Sequence, residues 1–96
     1  MANIQWDDKK NRVNKINHGV SFELASSVFE DPHALSQIDQ RFDYGEERWL
    51  TMGYVGGVVI LVVAYTLCEK ESDDVIRIIS ARKATRTECQ KYYEEV

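Results

Sequence analysis

Apolar and polar residues alternate with a period of two in several stretches of this chain, which is typical of β-strands with one buried face. A short stretch with Ile4 and Trp6 predicts a first strand. Two longer stretches, 48–55 and 58–67, predict a pair of strands, and the second is rich in β-branched residues. Because Gly56-Gly57 separates them and glycine tolerates positive φ, we predict a β-hairpin with a two-residue turn.

A polar segment after the first strand predicts a helix that runs to about Asn17. Asp7 or Asp8 can cap its start by accepting from free backbone N–H groups. Val13 and Ile16 are spaced to share one side of the helix and give it only a thin apolar stripe.

A second helix is predicted over 22–29, where apolar residues recur at intervals of three and four. Gly19 ends the preceding helix, and Ser21 offers a new N-cap. Asp31-Pro32 stops the second helix, because proline has no N–H and disfavours a helical residue before it. The chain is then expected to form a strand over about 34–38.

The rest of the chain predicts a loop at 40–47, a charged turn at 69–74, a strand over 74–81 and a closing helix. Thr85 and Glu88 fit the Ser/Thr-x-x-Glu capping box at the start of that helix. The order is one strand, two helices, a run of antiparallel strands and one helix. This order predicts an α+β fold.

The 96 residues predict a single domain spanning 1–96, because a chain of this length cannot divide its apolar surface between two cores. A composition of 44% hydrophobic and 29% charged residues is that of an ordinary globular protein. Cys68 and Cys89 could form one bridge at most, and no apolar signal segment follows Met1. We therefore expect a cytoplasmic protein with reduced thiols.

The charge of the chain is unevenly distributed. Although the formal net charge is −4, four cations lie close together near the C-terminal end: Arg77, Arg82, Lys83 and Arg86. Guanidinium groups beside a helix start can bind phosphate oxygens, which would make this cluster a phosphate site. A solvated basic surface explains the same residues, and the composition does not decide between the two.

Several side chains could move protons or stack on bases, and each also has a structural explanation. Tyr65, Tyr92 and Tyr93 can stack or donate a phenolic proton, but they can equally fill the core. His18 suits acid–base chemistry near neutral pH or a helix end. Glu88 is explained by helix capping, and a general-base role stays open. Neither histidine stands in a metal-ligand spacing, and no phosphate-binding glycine motif occurs. We expect no metal and no cofactor.

Several blocks of this sequence, in this order, together resemble the BrnT family of bacterial toxins. The blocks that carry the resemblance span nearly the whole chain: Ile4-x-Trp6-Asp7, His18-Gly19-Val20-Ser21-Phe22-Glu23-x-Ala25, Val28-Phe29-x-Asp31-Pro32, Glu46-Glu47-Arg48-Trp49, Tyr65-Thr66 and Arg77-Ile78-Ile79-Ser80-Ala81-Arg82.

The resemblance implies a compact RelE-like fold and the toxin of a type II toxin–antitoxin system. Such a toxin is an endoribonuclease that inhibits translation, and its partner is a small DNA-binding antitoxin, similar to BrnA, that represses the shared operon. The residues implied for the RNA-cleaving site are Arg77, Ser80, Arg82 and Glu88, with Tyr65 nearby.

If the chain cleaves RNA as the resemblance implies, we expect metal-independent cleavage in which the ribose 2′-hydroxyl attacks the adjacent phosphate. Arg77 and Arg82 would neutralise the phosphorane. Glu88, His18 or Tyr65 could move protons, and the sequence does not choose among them. The catalytic candidates are thus Arg77, Arg82, Glu88, Tyr65 and His18, and the candidates for holding RNA are Lys83, Arg86, Ser80 and Tyr92.

Two positions depart from the pattern of the family. Asn17 stands where the family often has lysine before the His-Gly pair, and Cys68 stands where it often has arginine. Both departures remove a cation that would stabilise an anionic transition state. An alternative hypothesis is therefore a catalytically impaired module that binds the antitoxin and acts as co-repressor of the operon.

Overall fold

The computed structural model describes residues 3–39, 47–56, 59–69 and 74–95. Within them lie five strands and three α-helices, with one short 3-10 helix directly after α2: β1 Asn3–Gln5, α1 Asp8–His18, α2 Phe22–Ser26, the 3-10 helix Ser27–Glu30, β2 Leu35–Ile38, β3 Arg48–Val55, β4 Val59–Glu69, β5 Asp74–Lys83 and α3 Arg86–Glu95. The predicted α+β class is confirmed. The predicted loop at 40–47 and the charged turn at 69–74 lie almost wholly outside the described residues.

The strands form one sheet in the order β1-β5-β4-β3-β2. Neighbours from β2 to β5 pair antiparallel, and β1 joins β5 in parallel. The larger core lies on one face of the sheet, where α2 and the 3-10 helix place Phe22 and Val28 against Leu61, Val63 and Ile78. We call this side the core face. Each of these five side chains is at most 1% exposed.

The opposite side of the sheet, which we call the α3 face, carries a smaller core. Tyr92 of α3 packs there against Met52, Ile60 and Val62. These residues alternate along their strands with those of the core face, as a two-sided buried sheet requires. The sheet is therefore covered by α2 on one side and by α3 on part of the other.

Local signals placed the start of α1, its end and the start of α2 correctly, whereas the helix predicted over 22–29 is α-helical only to Ser26 and continues as the 3-10 helix. Asp7 caps α1 by accepting from the N–H groups of Lys9 and Lys10, at 2.9 and 3.1 Å. Gly19 follows α1 with φ of +67°, where a side chain would be strained. Ser21 caps α2 through the N–H of Leu24.

The thin apolar stripe of Val13 and Ile16 does not face the core. They are 48% and 83% exposed, and the buried residues of α1 are Asn11 and Asn14. The amide of Asn14 donates to the carbonyl of Ala81 at 2.8 Å and accepts from the N–H of Ala81 at 3.2 Å. The helix is thus attached to β5 by hydrogen bonds rather than by an apolar stripe.

The predicted hairpin is confirmed, but its turn is longer than two residues. Val55 pairs with Val59, so three residues separate the paired ends. Gly56 has φ of +61°, which explains the need for glycine at that position.

Strand β5 extends two residues beyond its predicted end, so Arg82 and Lys83 belong to a strand and not to a basic turn. Pairing with β4 supplies the reason, since Arg82 lies opposite Val62. A bulge interrupts this pairing, because Tyr65 lies opposite Ile78 while the preceding β4 residue lies opposite Ser80.

Candidate functional site

An open cavity of about 410 Å³ lies between α1 and the part of β5 that β1 does not cover. We call this region the α1–β5 seam. Its walls are formed by one side of α1 and by two residues at the bulge of β5: Lys9, Lys10, Val13, Asn14, Asn17, His18, Ile79 and Ser80. Two ammonium groups, an imidazole and a hydroxyl therefore share one cavity.

Asn14 holds the two walls of the seam together. Strand β1 pairs only with residues 75–77 of β5, so the edge of β5 beyond them needs another hydrogen-bonding partner. Asn14 is 5% exposed and supplies that partner to both backbone groups of Ala81. It also donates to the carbonyl of Val20 at 2.9 Å, which ties the end of α1 to the same point.

Arg77 extends the positive charge at one end of the seam. It is exposed and lies opposite Gln5 of β1, two residues before the cap of α1. The pKa of Asp7 is lowered, first by the hydrogen bond from the Lys10 N–H and further by the charges of Lys10 and Arg77. Lys10 of α1 and Arg77 of β5 therefore both contribute positive potential around Asp7.

A row of four residues crosses the α3 face beside the seam. Gln5, Arg77, Thr66 and Arg48 lie opposite one another on β1, β5, β4 and β3. Residues paired in this way project from the same face. Since two strand spacings separate Arg77 from Arg48, their Cα atoms are about 10 Å apart.

Arg82 and Glu88 form a bidentate pair across the start of α3. Nη1 and Nη2 of Arg82 lie 2.7 and 3.0 Å from Oε1 and Oε2 of Glu88. Glu88 also accepts from the N–H of Thr85 at 2.8 Å, which confirms the predicted capping box. The hydrogen bonds from Arg82, with a further contribution from Thr85, lower the pKa of Glu88 to about 2. At neutral pH the Glu88 carboxylate is ionised, already accepts hydrogen bonds from Arg82 and Thr85, and is therefore a weak base.

The Glu88 contacts predict a stability effect that depends on pH. Because the folded pKa of Glu88, about 2, lies below its ordinary value of 4.5, ionised Glu88 stabilises the fold above about pH 4.5. That stabilisation is lost as the pH falls toward 2. Glu88→Gln should therefore lower stability by about 1 kcal/mol at pH 7, the usual contribution of a helix cap.

The measurement is urea unfolding of both proteins between pH 7 and pH 2.5. The difference in free energy of unfolding should shrink below about pH 4.5, because the unfolded chain then takes up a proton at Glu88 that the folded protein, with a pKa of about 2, does not. A difference that stays constant across this range would contradict the assignment. Asp7 and Asp31, whose pKa values are also lowered, are present in both proteins and cancel in the comparison.

The structure places two of the predicted tyrosines away from the seam. Tyr65 is 5% exposed on the core face, where it packs edge-on against Phe29 and its hydroxyl lies 2.7 Å from Oγ1 of Thr51. Tyr92 is equally buried and donates to Asp31 at 2.6 Å. Burial, with that hydrogen bond, raises the pKa of Tyr92 to about 12. Neither hydroxyl is placed to move a proton at the seam.

Asp31 links the 3-10 helix to the sheet edge and to α3. Besides Tyr92, it accepts from the N–H of Tyr54 at 2.8 Å and from that of His33 at 2.9 Å. Although burial acts to raise it, the pKa of Asp31 is lowered by these hydrogen bonds. The Asp-Pro block of the sequence therefore has a structural role beyond ending a helix.

The remaining predicted residues divide between the two sides of β5. His18 and Ser80 line the seam, Arg77 lies next to it where β5 pairs with β1, and Arg82 is paired with Glu88. Lys83 lies opposite Leu61, whose side chain is on the core face, so it projects away from Arg82. Arg86 is exposed at the first residue of α3.

Sequence reasoning missed Lys9 and Lys10, which lie about 70 residues from Ser80 in the chain. It also missed Thr66, although the Tyr65-Thr66 block was recognised. Since neighbours in a strand project to opposite faces, Tyr65 lies on the core face and Thr66, which is also buried, lies on the α3 face. One signal in the sequence could have found Lys10. Asn11 and Asn14 are three residues apart and mark the side of α1 that attaches to β5, and Lys10 lies next to that side.

The fold of this chain has a counterpart among solved structures. The crystal structure of the Brucella abortus ribonuclease toxin BrnT superposes with a TM-score of 0.63 at 23% identity, over 90% of this chain and 100% of that one. This similarity shows a shared fold.

The sequence then identifies the family. A family model described as the ribonuclease toxin BrnT of type II toxin–antitoxin systems matches residues 6–88. The chain belongs to the BrnT family, and membership implies an antitoxin partner. No curated protein matches the sequence.

Two other observations concern the described part of the chain. No group of three or more His, Cys, Asp or Glu side chains there is placed to hold a metal ion. No helix there is long and apolar enough to span a membrane.

Proposed function

We propose that this chain is an endoribonuclease toxin that cleaves RNA at the α1–β5 seam without a metal ion and so inhibits translation. The observation that carries the proposal is the seam cavity, which joins Lys9, Lys10 and His18 of α1 to Ser80 of β5. Family membership supports ribonuclease activity in general, and the seam supplies a place for it.

The groups at the seam match the needs of 2′-hydroxyl attack on the adjacent phosphate. The reaction develops extra negative charge on the phosphoryl oxygens, and ammonium and guanidinium groups that are already in place stabilise that charge. Lys10 and Arg77 would do so here. The products would carry a 2′,3′-cyclic phosphate and a free 5′-hydroxyl, and no water or metal takes part in the step.

His18 is the group we assign to proton transfer. An imidazole changes protonation near neutral pH and can both accept and donate a proton. His18 is exposed and lines the cavity, whereas Tyr65 is buried on the other face and Glu88 is ionised and paired with Arg82. Ser80 would orient the phosphate through its hydroxyl.

The row across the α3 face suggests a path for the RNA strand. Arg48 and Arg77 lie on one face about 10 Å apart, with Thr66 between them. Phosphates that flank the scissile linkage would contact this row. Binding should therefore weaken with added salt, with a logarithmic slope of about −2 if three phosphates are contacted.

The proposed setting follows the type II arrangement. The chain would act in the cytoplasm, and its partner would be a DNA-binding antitoxin similar to BrnA. The toxin would reach operator DNA only through that antitoxin. The single toxin domain would span residues 1–96.

Arg77→Ala tests the proposal directly. Loss of a cation that contacts the transition state should slow cleavage about 100-fold. Purified protein is incubated with single-stranded RNA in EDTA, and the product ends are analysed for cyclic phosphate. Lys83→Ala removes a cation from the other face of β5 and should leave the rate within about twofold.

Three results would count against this assignment. Intact RNA after incubation with the original chain would refute the activity, and an absolute need for added metal would refute the metal-independent mechanism. Equal losses in Arg77→Ala and Lys83→Ala would show that general charge, and not the seam, is responsible.

A second candidate function rests on Asn17. This residue lines the seam and carries no charge, so the cavity has one cation fewer than a lysine there would give. The chain would then be a catalytically impaired module that binds the antitoxin and acts as a co-repressor. Growth arrest on expression of the chain alone favours the toxin, and normal growth with retained antitoxin binding favours the module. Asn17→Lys should restore cleavage in the second case.

A further inference from the structure

The solvent side of α1 combines exposed apolar residues with a concentration of positive charge. Lys9, Arg12, Val13 and Ile16 are spaced by three or four residues, so they form one continuous face. All four are exposed, and Ile16 is 83% exposed. We call these four residues the outer face of α1. The side that attaches to β5, with Asn11 and Asn14, is opposite.

The charge of α1 contrasts with that of the whole chain. The helix carries Lys9, Lys10, Arg12 and Lys15 against Asp8 alone, whereas the chain has a formal net charge of −4. Two of these cations are near acidic groups: Nζ of Lys15 lies 3.9 Å from Oε2 of Glu23, and the charge of Lys10 contributes to the lowered pKa of Asp7. A partner that matches this surface is therefore acidic as well as apolar.

Apolar exposure distinguishes a protein partner from RNA. Phosphates would be attracted to Lys9 and Arg12, but they would gain nothing from Val13 or Ile16. A protein segment with apolar side chains removes those two residues from water. Burial of Ile16 at the centre of an interface, surrounded by charge pairs, is the usual arrangement of a binding hot spot.

We propose that the outer face of α1 binds an acidic, apolar segment of the antitoxin. The segment would bury Ile16 and Val13 and place carboxylates against Lys9 and Arg12. The consequence of this inference rests on the proposed function. Lys9 and Val13 also line the seam, so a segment bound to the outer face of α1 would compete with RNA for Lys9. Neutralisation of the toxin would then need no contact with His18.

The substitution Ile16→Asp distinguishes antitoxin binding from RNA binding. The change removes apolar area and places a negative charge opposite the acidic segment, so affinity for the antitoxin should fall about 100-fold. The chain is coexpressed with the antitoxin of its own operon, and affinity is measured with the two purified proteins. Affinity for a single-stranded RNA oligonucleotide should stay within about threefold. Leu67→Asp, at an apolar position on β4 that is 45% exposed, is the control and should leave both affinities unchanged.

Antitoxin affinity unchanged by Ile16→Asp would overturn the proposal. A loss of affinity for RNA as large as that for antitoxin would also overturn it, because the outer face would then be an RNA surface. Both readouts are binding constants, so the test stands even if the chain cleaves no RNA. Thermal unfolding of Ile16→Asp should match that of the original chain, since the side chain is almost fully in solvent.

Discussion

Replacement of His18 by alanine should slow RNA cleavage by about 1,000-fold while RNA binding changes little. General acid–base groups contribute rate factors of about 100 to 10,000, and His18 is the imidazole at the seam. The pH dependence gives a sharper criterion than the rate. With the original chain, the cleavage rate should change with pH in a step, because an acid–base group must be in one protonation state to act. The residual activity of His18→Ala should lack that step.

His33 provides a matched control for this experiment. It is an exposed histidine in the turn after Asp31-Pro32, and it is not among the residues that line the seam. His33→Ala should keep both the rate and the pH profile of the original chain. If His18→Ala and the original chain share one profile, proton transfer belongs to another group and the role assigned to His18 is wrong.

Local chemistry explains why most element boundaries could be predicted from the sequence. Asp7, Ser21 and Gly19 act through contacts within a few residues, and the Thr85–Glu88 box is just as local. Such signals do not depend on the rest of the fold. The end of β5 is different, because its last two residues are held in a strand by β4.

The attachment of α1 could not be predicted from apolar spacing. Val13 and Ile16 are the residues that such a pattern places inside, yet a helix beside an open strand edge must first satisfy backbone N–H and C=O groups. Asparagine can do both, and Asn14 does so at Ala81. Val13 and Ile16 are therefore exposed to solvent on the opposite side of α1.

The sequence alone predicted only part of the candidate site. Arg77 and Ser80 belong to one block and were recognised together. Lys10 is brought to them by the parallel pairing of β1 with β5 and by the attachment of α1 through Asn14, which are contacts between distant parts of the chain. For Arg82 the sequence suggested a cation that could bind RNA, but in the structure its guanidinium group is paired with Glu88.

Asn14→Leu should destabilise the fold by about 3–5 kcal/mol. Leucine has a similar volume but forms none of the three hydrogen bonds that Asn14 makes to Ala81 and Val20. Loss of a partner costs about 1–3 kcal/mol for each buried polar group left unsatisfied, and Ala81 would lose partners for both its N–H and its C=O. The measurement is the free energy of unfolding in urea. Asn17→Leu makes the same chemical change at an exposed position of α1 and should stay within about 0.5 kcal/mol.

The same substitution should affect activity before it unfolds the protein. Without Asn14, α1 is no longer fixed against the edge of β5, so Lys10 and His18 lose their position relative to Ser80. Small displacements of catalytic groups are costly, and a shift of about 1 Å can reduce a rate 100-fold. Cleavage by Asn14→Leu should therefore fall at temperatures where the sheet remains folded by circular dichroism. Full activity in a destabilised but folded Asn14→Leu protein would show that the seam does not hold the catalytic groups.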